Sequence, residues 1–293
     1  MTTIALLLIT GLGLGALYFL IAAGLSLIWG LMRVLNFAHG AFFTVAAYAG
    51  WSAGRLAGGA SPDLQWLIAV VVAVVVGGVF ATLTEVVLIR PLYARHVGQV
   101  LVTVGLALAT ISLVQGGFGS DPQRLALPAW MTNTTTVLGA NIPNTRMLVI
   151  VVALVVFALL LFFLQRTRFG LIVRAGVENR AMVQALGIDV QRAFTLVFAI
   201  GGMAAGLAGI LAGTYYGTID PGRGSAMLIF AFIVVIIGGL GSVTGSAAAA
   251  VVVGELQQFL NFYGAAGVGD FSVVLLLAIV LLIRPGGFSG AST

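Results

Sequence analysis

The octapeptide L-N-F-A-H-G-A-F at residues 35–42 sets Asn36, His39 and Gly40 between two long apolar runs, Ile4–Met32 and Ala41–Trp51. An amide and an imidazole can bind a polar solute or a metal, and a glycine lets backbone approach a partner closely. Metal binding fails for lack of ligands: the only other histidine is His96, in a distant loop, and the chain has no cysteine. Two readings remain open. Asn36 and His39 hold two helices together, which the spacing favours, or with Phe37 and Gly40 they line a route for a solute.

The carboxylates offer other chemistry. Glu85 and Glu255 lie within apolar runs, where an ionisable side chain is a functional candidate. Glu85 sits near the end of its run with Arg90 in reach, which favours an ion pair. Glu255 is deeper and is followed by Gln257, Gln258 and Asn261. Glu255, Gln258 and Phe262 share one helix face, which should turn toward other helices or a cavity rather than lipid; helix glue and pathway lining both fit. Gly267-Val268-Gly269-Asp270 carries the letters of an intramembrane aspartyl protease. That chemistry needs a second aspartate opposite the first, and Asp220, in the loop I-D-P-G, is the only nearby candidate. Asp270 instead suits the N-terminal cap of its helix. No catalytic set is expected.

Lysine is also absent, so no G-x-x-x-x-G-K-[ST] phosphate loop exists. If the chain's work is driven by ATP, another polypeptide must bind the nucleotide.

These residues must be positioned by apolar elements. Of 293 residues, 61% are hydrophobic and 7% charged, against about 25% charged in soluble domains. Runs long enough to cross a hydrocarbon core of about 30 Å recur along the whole length, and stretches such as Ile68–Val76 lack the alternation of a β-barrel. The expected fold is all-α, a polytopic transmembrane helical bundle forming one domain over 1–293. Candidate spans are Ile4–Gly30, Phe37–Gly54, Leu64–Ile89, Val100–Gly116, Met147–Leu164, Phe194–Tyr215, Ala226–Gly239, Ser246–Phe262 and Phe271–Ile283. The first two could be one helix broken near 33–41, which makes the count 8–9. Irregular backbone at membrane depth is tolerated where it is buried in protein or lines a water-filled cavity. Its unpaired N–H and C=O groups suit a small polar or zwitterionic cargo.

All 13 basic residues are arginines, with no basic stripe of the nucleic-acid-binding kind. Nine of them (Arg33, Arg90, Arg95, Arg166, Arg168, Arg174, Arg180, Arg192, Arg284) fall on one side and four (Arg55, Arg124, Arg146, Arg223) on the other. The positive-inside rule makes the first side cytoplasmic, with the N-terminus outside and the C-terminus inside. The outer loop Phe118–Arg146 is either an ordered interfacial cap or a solvated loop. Gly202, Gly206, Gly209 and Gly213 share one helix face, which predicts a close helix contact, preferably within the chain. The inner stretch 166–192 contains E-N-R-A-M-V-Q-A-L at 178–186, a short amphipathic helix that Gly187 can end. It either lies on the membrane surface or docks in a groove of a soluble partner; a chain with no energy source of its own favours docking.

The segment G-A-L-Y-F-L-I-A-A-G-L-S-L-I-W-G-L-M-R-V-L-N-F-A-H-G-A-F at 15–42 resembles the first signature of the LivH-type permeases of branched-chain amino acid ABC importers. R-A-G-V-E-N-R-A-M-V-Q-A-L-G-I at 174–188 is similar to that family's cytoplasmic loop, and G-G-L-G-S-V-T-G-S at 238–246 to its third signature. The resemblance implies a permease of the bacterial inner membrane, not an enzyme. Its partners would be a LivM-like second permease, two ABC ATPase subunits that bind ATP and Mg, and a periplasmic substrate-binding protein, with no cofactor in this chain. It also implies that Glu178, Asn179, Met182, Ala185, Leu186, Gly187 and Ile188 form the coupling helix seated in the ATPase. Asn36, Phe37, His39 and Gly40 would lie at the broken helix beside the translocation path, to which the polar stripe adds Glu255. Ala41 stands where many members carry an acidic residue. Because the superfamily also imports urea, short amides and other small solutes, cargo stays open, as does an ATP-independent channel.

Overall fold

The structure, a computed structural model, describes residues 2–93, 95–185, 187, 189–265 and 267–289, without the side chains of 176–181, 184 and 185. Leu186 and Ile188 lie outside the described residues, as do the side chains of Glu178, Asn179 and Ala185.

The helices are α1 (Thr2–Met32), α2 (His39–Leu56), α3 (Pro62–Leu83), α4 (His96–Phe118), α5 (Ala129–Thr132), α6 (Asn144–Arg166), α7 (Arg168–Ala185), α8 (Val190–Tyr216), α9 (Arg223–Gly238), α10 (Val243–Tyr263) and α11 (Val268–Ile283). A helix stands at each of the nine expected spans. Among the described residues, six elements are long and apolar enough to cross a membrane alone: α1, α3 with the turns that extend it to Leu92, α4, α6, α8 and α10. Helices α9 and α11 have 16 residues each, about 24 Å at 1.5 Å per residue, short of a full hydrocarbon core.

Helix α1 is the axis of the bundle. It is apolar all round, as a fully buried helix must be, and every residue from Leu17 to Ile28 is buried. Helices α8, α9 and α10 pack around it, and α2 and α3 pack on α8. On α3, Leu67, Val71, Val75 and Val79 recur every four residues and are 51–55% exposed, a stripe that faces away from the rest of the chain. Along α8, Gly202 and Gly206 lie against the backbone of Gly77 and Ala73 on α3, Gly209 against the Phe43 carbonyl of α2, and Gly213 against Ile219 and Leu125. The glycine face is therefore turned inward, where two helices meet it within the same chain.

The loop between α4 and α6 is an ordered cap. Strands β1 (Gln123–Arg124), β2 (Thr134–Val137), β3 (Ala140–Pro143) and β4 (Thr218–Ile219) form two small antiparallel pairs, β1 with β4 and β2 with β3. The β2–β3 hairpin turns through Leu138 and Gly139, both at positive φ (51° and 80°), as a two-residue turn of this kind requires. The indole N–H of Trp130 donates to Asp63 Oδ1 at 2.8 Å, fixing the cap to the start of α3.

Candidate functional site

The break between α1 and α2 is short, with Arg33 and Leu35 exposed and Val34, Asn36 and Ala38 buried. Arg33 has φ 53°, which ends α1 abruptly. Asn36 then organises the start of α2: its Oδ1 accepts from Ala38 N at 3.1 Å, and its carbonyl accepts from His39 N at 3.3 Å. Two of the N–H groups that a helix start leaves unpaired are satisfied in this way. The His39 ring reaches across to α1, with Nε2 3.1 Å from the Ile21 carbonyl, and meets Phe42 edge-on at 5.7 Å. Glycines permit this convergence of four helices, α1 with α8 and α2 with α9. A Cβ on Gly24 would stand 2.7 Å from the Gly201 carbonyl of α8 and 3.0 Å from His39 Cε1, and one on Gly40 would stand 2.6 Å from the Gly224 carbonyl of α9. Asn36 and His39 are fully buried, and Gly40 is buried with them. Phe37 is half-buried and lies 5.3 Å from Phe232. The orphan nitrogens Asn36 Nδ2 and His39 Nδ1 have no hydrogen-bond partner among the described residues.

Glu255 is not part of this cluster. Its Oε2 faces Gly11, where a Cβ would approach to 2.5 Å. Gly11 and Gly24 are thirteen residues apart on α1, about 20 Å along the axis, so Glu255 and His39 mark opposite halves of the bundle. Glu255 is half-buried, and Oε2 has no hydrogen-bond partner among the described residues.

At the far end of α3 the chain departs from α-helical geometry. Residues Thr84–Ile89 form a π-helical turn, followed by a 3₁₀ turn at Arg90–Leu92. In an α-helix, side chains five apart point about 140° from one another; the wider π turn brings Glu85 and Arg90 onto one side. Arg90 Nη2 is 3.1 Å from Glu85 Oε2 and donates to Thr195 Oγ1 of α8 at 2.8 Å. Thr195 and Tyr93 both donate their hydroxyls to the Glu85 carboxylate. Glu85 is fully buried and the Arg90 side chain 34% exposed, so the sequence-derived ion pair stands with two further partners. It joins the end of α3 to the start of α8, where Asp189 caps the helix by accepting from Gln191 N and Arg192 N at 3.0 and 3.3 Å.

Helix α10 carries its polar contacts on an unexpected residue. Gln257, not Gln258, is the buried member. Its Oε1 accepts from Tyr18 O–H at 2.6 Å, and its Nε2 donates to Asp270 Oδ1 at 2.5 Å. Asp270 is the third residue of α11, whose N-cap is Gly267 without a side-chain cap. The expected capping role is thus corrected: the carboxylate holds α10 instead.

Residues 7–284 match the family described as the permease component of branched-chain amino acid transport systems. The chain belongs to that family. It is 27% identical to the high-affinity branched-chain amino acid transport permease LivH of Salmonella typhimurium, over 96% of this chain and 93% of that protein. It is 31% identical to BraD of Pseudomonas aeruginosa, a permease of the same description, over 97% and 94% of the two chains. The autoinducer 2 import permease LsrD of Yersinia enterocolitica is 32% identical over 49% of this chain and 46% of that one. No solved structure matches.

The segment between α6 and α8 differs in detail from the sequence reading. Helix α7 runs from Arg168 to Ala185, ten residues longer at its start than the expected helix at 178–186. Among its described apolar positions near the end, Val183 is buried, whereas Met182 is 61% exposed. Gly187 takes φ 76° just past the helix end, the left-handed conformation expected of it. Tyr18, the partner of Gln257, escapes the sequence reading: it stands alone in the apolar run of α1, and no spacing pattern connects it to α10.

Proposed function

We propose that this chain is the membrane permease subunit of an ABC importer that carries branched-chain or similarly apolar amino acids inward. The observation that carries the reading is end-to-end similarity to permeases named for that transport, LivH and BraD, over at least 96% of the chain. The absence of lysine, and with it of a phosphate loop, agrees with an ATPase on separate subunits. The partners are a second, LivM-like permease, two ATPase subunits that bind ATP and Mg, and a periplasmic substrate-binding protein. The arginine distribution supports an inner-membrane orientation with α7 in the cytoplasm, the N-terminus outside and the C-terminus inside.

In this mechanism, ATP binding on the partner pulls the α7–α8 link, including Glu178, Asn179, Met182, Ala185, Leu186, Gly187 and Ile188. The Glu85–Arg90–Thr195 node passes the displacement of α8 to α3, because a buried, hydrogen-bonded pair moves with both helices. Asn36, His39 and Gly40 frame the break beside the path, while Phe37 and Glu255 are the half-buried members free to meet a solute. A packed core with two arrangements then alternates access between the two sides. Affinity purification of the tagged chain from mild detergent, followed by labelled leucine uptake in proteoliposomes holding the recovered complex, tests the reading. Co-purification of an ATPase and a second permease, with ATP-dependent uptake, is the expected result; a lone chain passing solute without ATP would make it a channel.

The LsrD match supports a second reading on cargo alone, a permease for another small polar solute. A purified partner binding protein that ignores leucine, isoleucine and valine would favour it.

A further inference from the structure

The end of the bundle where α2 stops and α3 starts holds three of the four tryptophans, Trp51, Trp66 and Trp130. Indole rings collect where a membrane meets water, so this end sits at that boundary. A cavity of about 580 Å³ opens there, lined by Trp51, Arg55, Trp66 and Arg124 with Gln65 and Leu125. Its lining also includes the buried Gly54 and Ala69, where α2 and α3 come close: a Cβ on Gly54 would stand 2.9 Å from the Gln65 carbonyl. One tryptophan positions both guanidiniums. The Trp51 indole N–H donates to the Arg124 carbonyl at 3.0 Å, and the pairing of β1 with β4 holds Arg124 from its other side. Arg55 lies over the Trp51 ring, 5.5 Å from its centroid; a guanidinium stacked in this way keeps its edge N–H groups available. Among the described residues neither arginine forms a salt bridge, and no carboxylate lines the cavity. Asp63, the nearby acid at the start of α3, is engaged with Trp130. A second cavity of about 590 Å³ shares Trp51, Arg55 and Gln123 with the first and adds Leu56 and Phe118, 89% and 41% exposed. Arg55 therefore stands between a cationic chamber and an apolar one.

Two guanidiniums with no acid between them match a strong oxyanion, and arginine's planar fork suits phosphate oxygens. An apolar chamber joined to the cationic one suits a ligand with an apolar tail, and a membrane boundary supplies such ligands. We propose that Arg55 and Arg124 form a site for the phosphodiester of an anionic phospholipid, with the phosphate at the two guanidiniums and an acyl chain along Leu56 and Phe118. The site clamps the 122–126 loop to the ends of α2 and α3 whichever solute the chain carries. A water-soluble phosphodiester presents the same anion without the tail, and the test separates the two.

The full chain, stripped of lipid in a neutral detergent, is titrated with dioleoylphosphatidylglycerol, dioleoylphosphatidylcholine or water-soluble glycerophosphoglycerol, and the tightest bound copy is followed by native mass spectrometry. Phosphatidylglycerol should bind at least about tenfold more tightly than phosphatidylcholine, whose choline cation finds no carboxylate in the cavity. Arg55→Gln and Arg124→Gln should each weaken phosphatidylglycerol by a similar factor, with Arg55→Lys retaining part of the binding. Both side chains are exposed, and the main-chain bonds of Arg124 survive the substitution, so the fold stands. Arg284→Gln, at an exposed arginine outside the cavity, should change nothing. Equal binding of the two lipids, or phosphatidylglycerol binding unmoved by both glutamine variants, overturns the site. Glycerophosphoglycerol binding as tightly as the lipid would give the arginines to a soluble phosphodiester and overturn the lipid assignment. Unmoved lipid binding with loss of a co-purified binding protein would give them to a protein contact, and overturns it too.

Discussion

Replacing Arg90 by Met should destabilise the protein by about 2–3 kcal/mol, because the substitution strands a fully buried carboxylate. Glu85 has no exposure, and its three partners are Arg90, Thr195 and Tyr93. Removing one member of a buried ion pair costs about 3–5 kcal/mol, since the remaining charge is left uncompensated. Here the guanidinium side chain is 34% exposed, so water screens part of the interaction and lowers the figure. The two hydroxyl donors stay and offset more of it. Glu85→Gln with Arg90→Met should recover at least about 1 kcal/mol relative to Arg90→Met alone, because a neutral amide can keep both hydroxyl bonds without a cation. Reversible unfolding in mixed micelles, followed by tryptophan fluorescence, gives the three free energies. Arg192→Met is the reference, since Arg192 pairs at the surface with Asp189 and its side chain is 83% exposed; it should change stability by less than about 0.5 kcal/mol. If Arg90→Met matches Arg192→Met, or if the double variant is as unstable as the single, the node does not carry a buried charge and the proposed α3–α8 linkage loses its basis.

The other expectations concern packing and coupling. Gly40→Ala puts a Cβ 2.6 Å from the Gly224 carbonyl and should cost about 1–3 kcal/mol; Gly59→Ala, with open space around it, should be near neutral in the same unfolding measurement. Gln257→Leu breaks the bonds to Tyr18 and Asp270 and should lower stability by about 1–3 kcal/mol, while Gln258→Leu should leave it unchanged. His39→Ala removes a fully buried bond to Ile21, so folded yield and uptake Vmax should fall together; a raised KM at normal yield would show instead that His39 touches cargo. A flexible Gly-Ser linker in place of residues 178–187 should abolish co-purification of the ATPase; a stable, active complex from that variant would remove α7 from the coupling role.

The sequence by itself determined where the helices run. In a bilayer the length of an apolar run is a local quantity, so each expected span has its helix. The break at 33–38 was legible too, as were the Glu85–Arg90 pair, from their closeness in sequence, and the inward glycine face of α8, from its regular spacing. What only the tertiary structure decided is which way each helix faces. Helices such as α1 and α6 are apolar all round, and lipid is as apolar as a protein core, so no polar face marks the exposed side. Polar spacing on α10 suggested Gln258, but the partners that matter, Tyr18 and Asp270, lie 239 and 13 residues from Gln257. The split of Met182 from Val183 follows from how α7 folds back on the bundle. The enclosure of Asn36 and His39 depends on Gly201 and Gly224 arriving from α8 and α9, more than 160 residues away. Long-range backbone contacts of that kind leave no periodic trace in the residues they bring together.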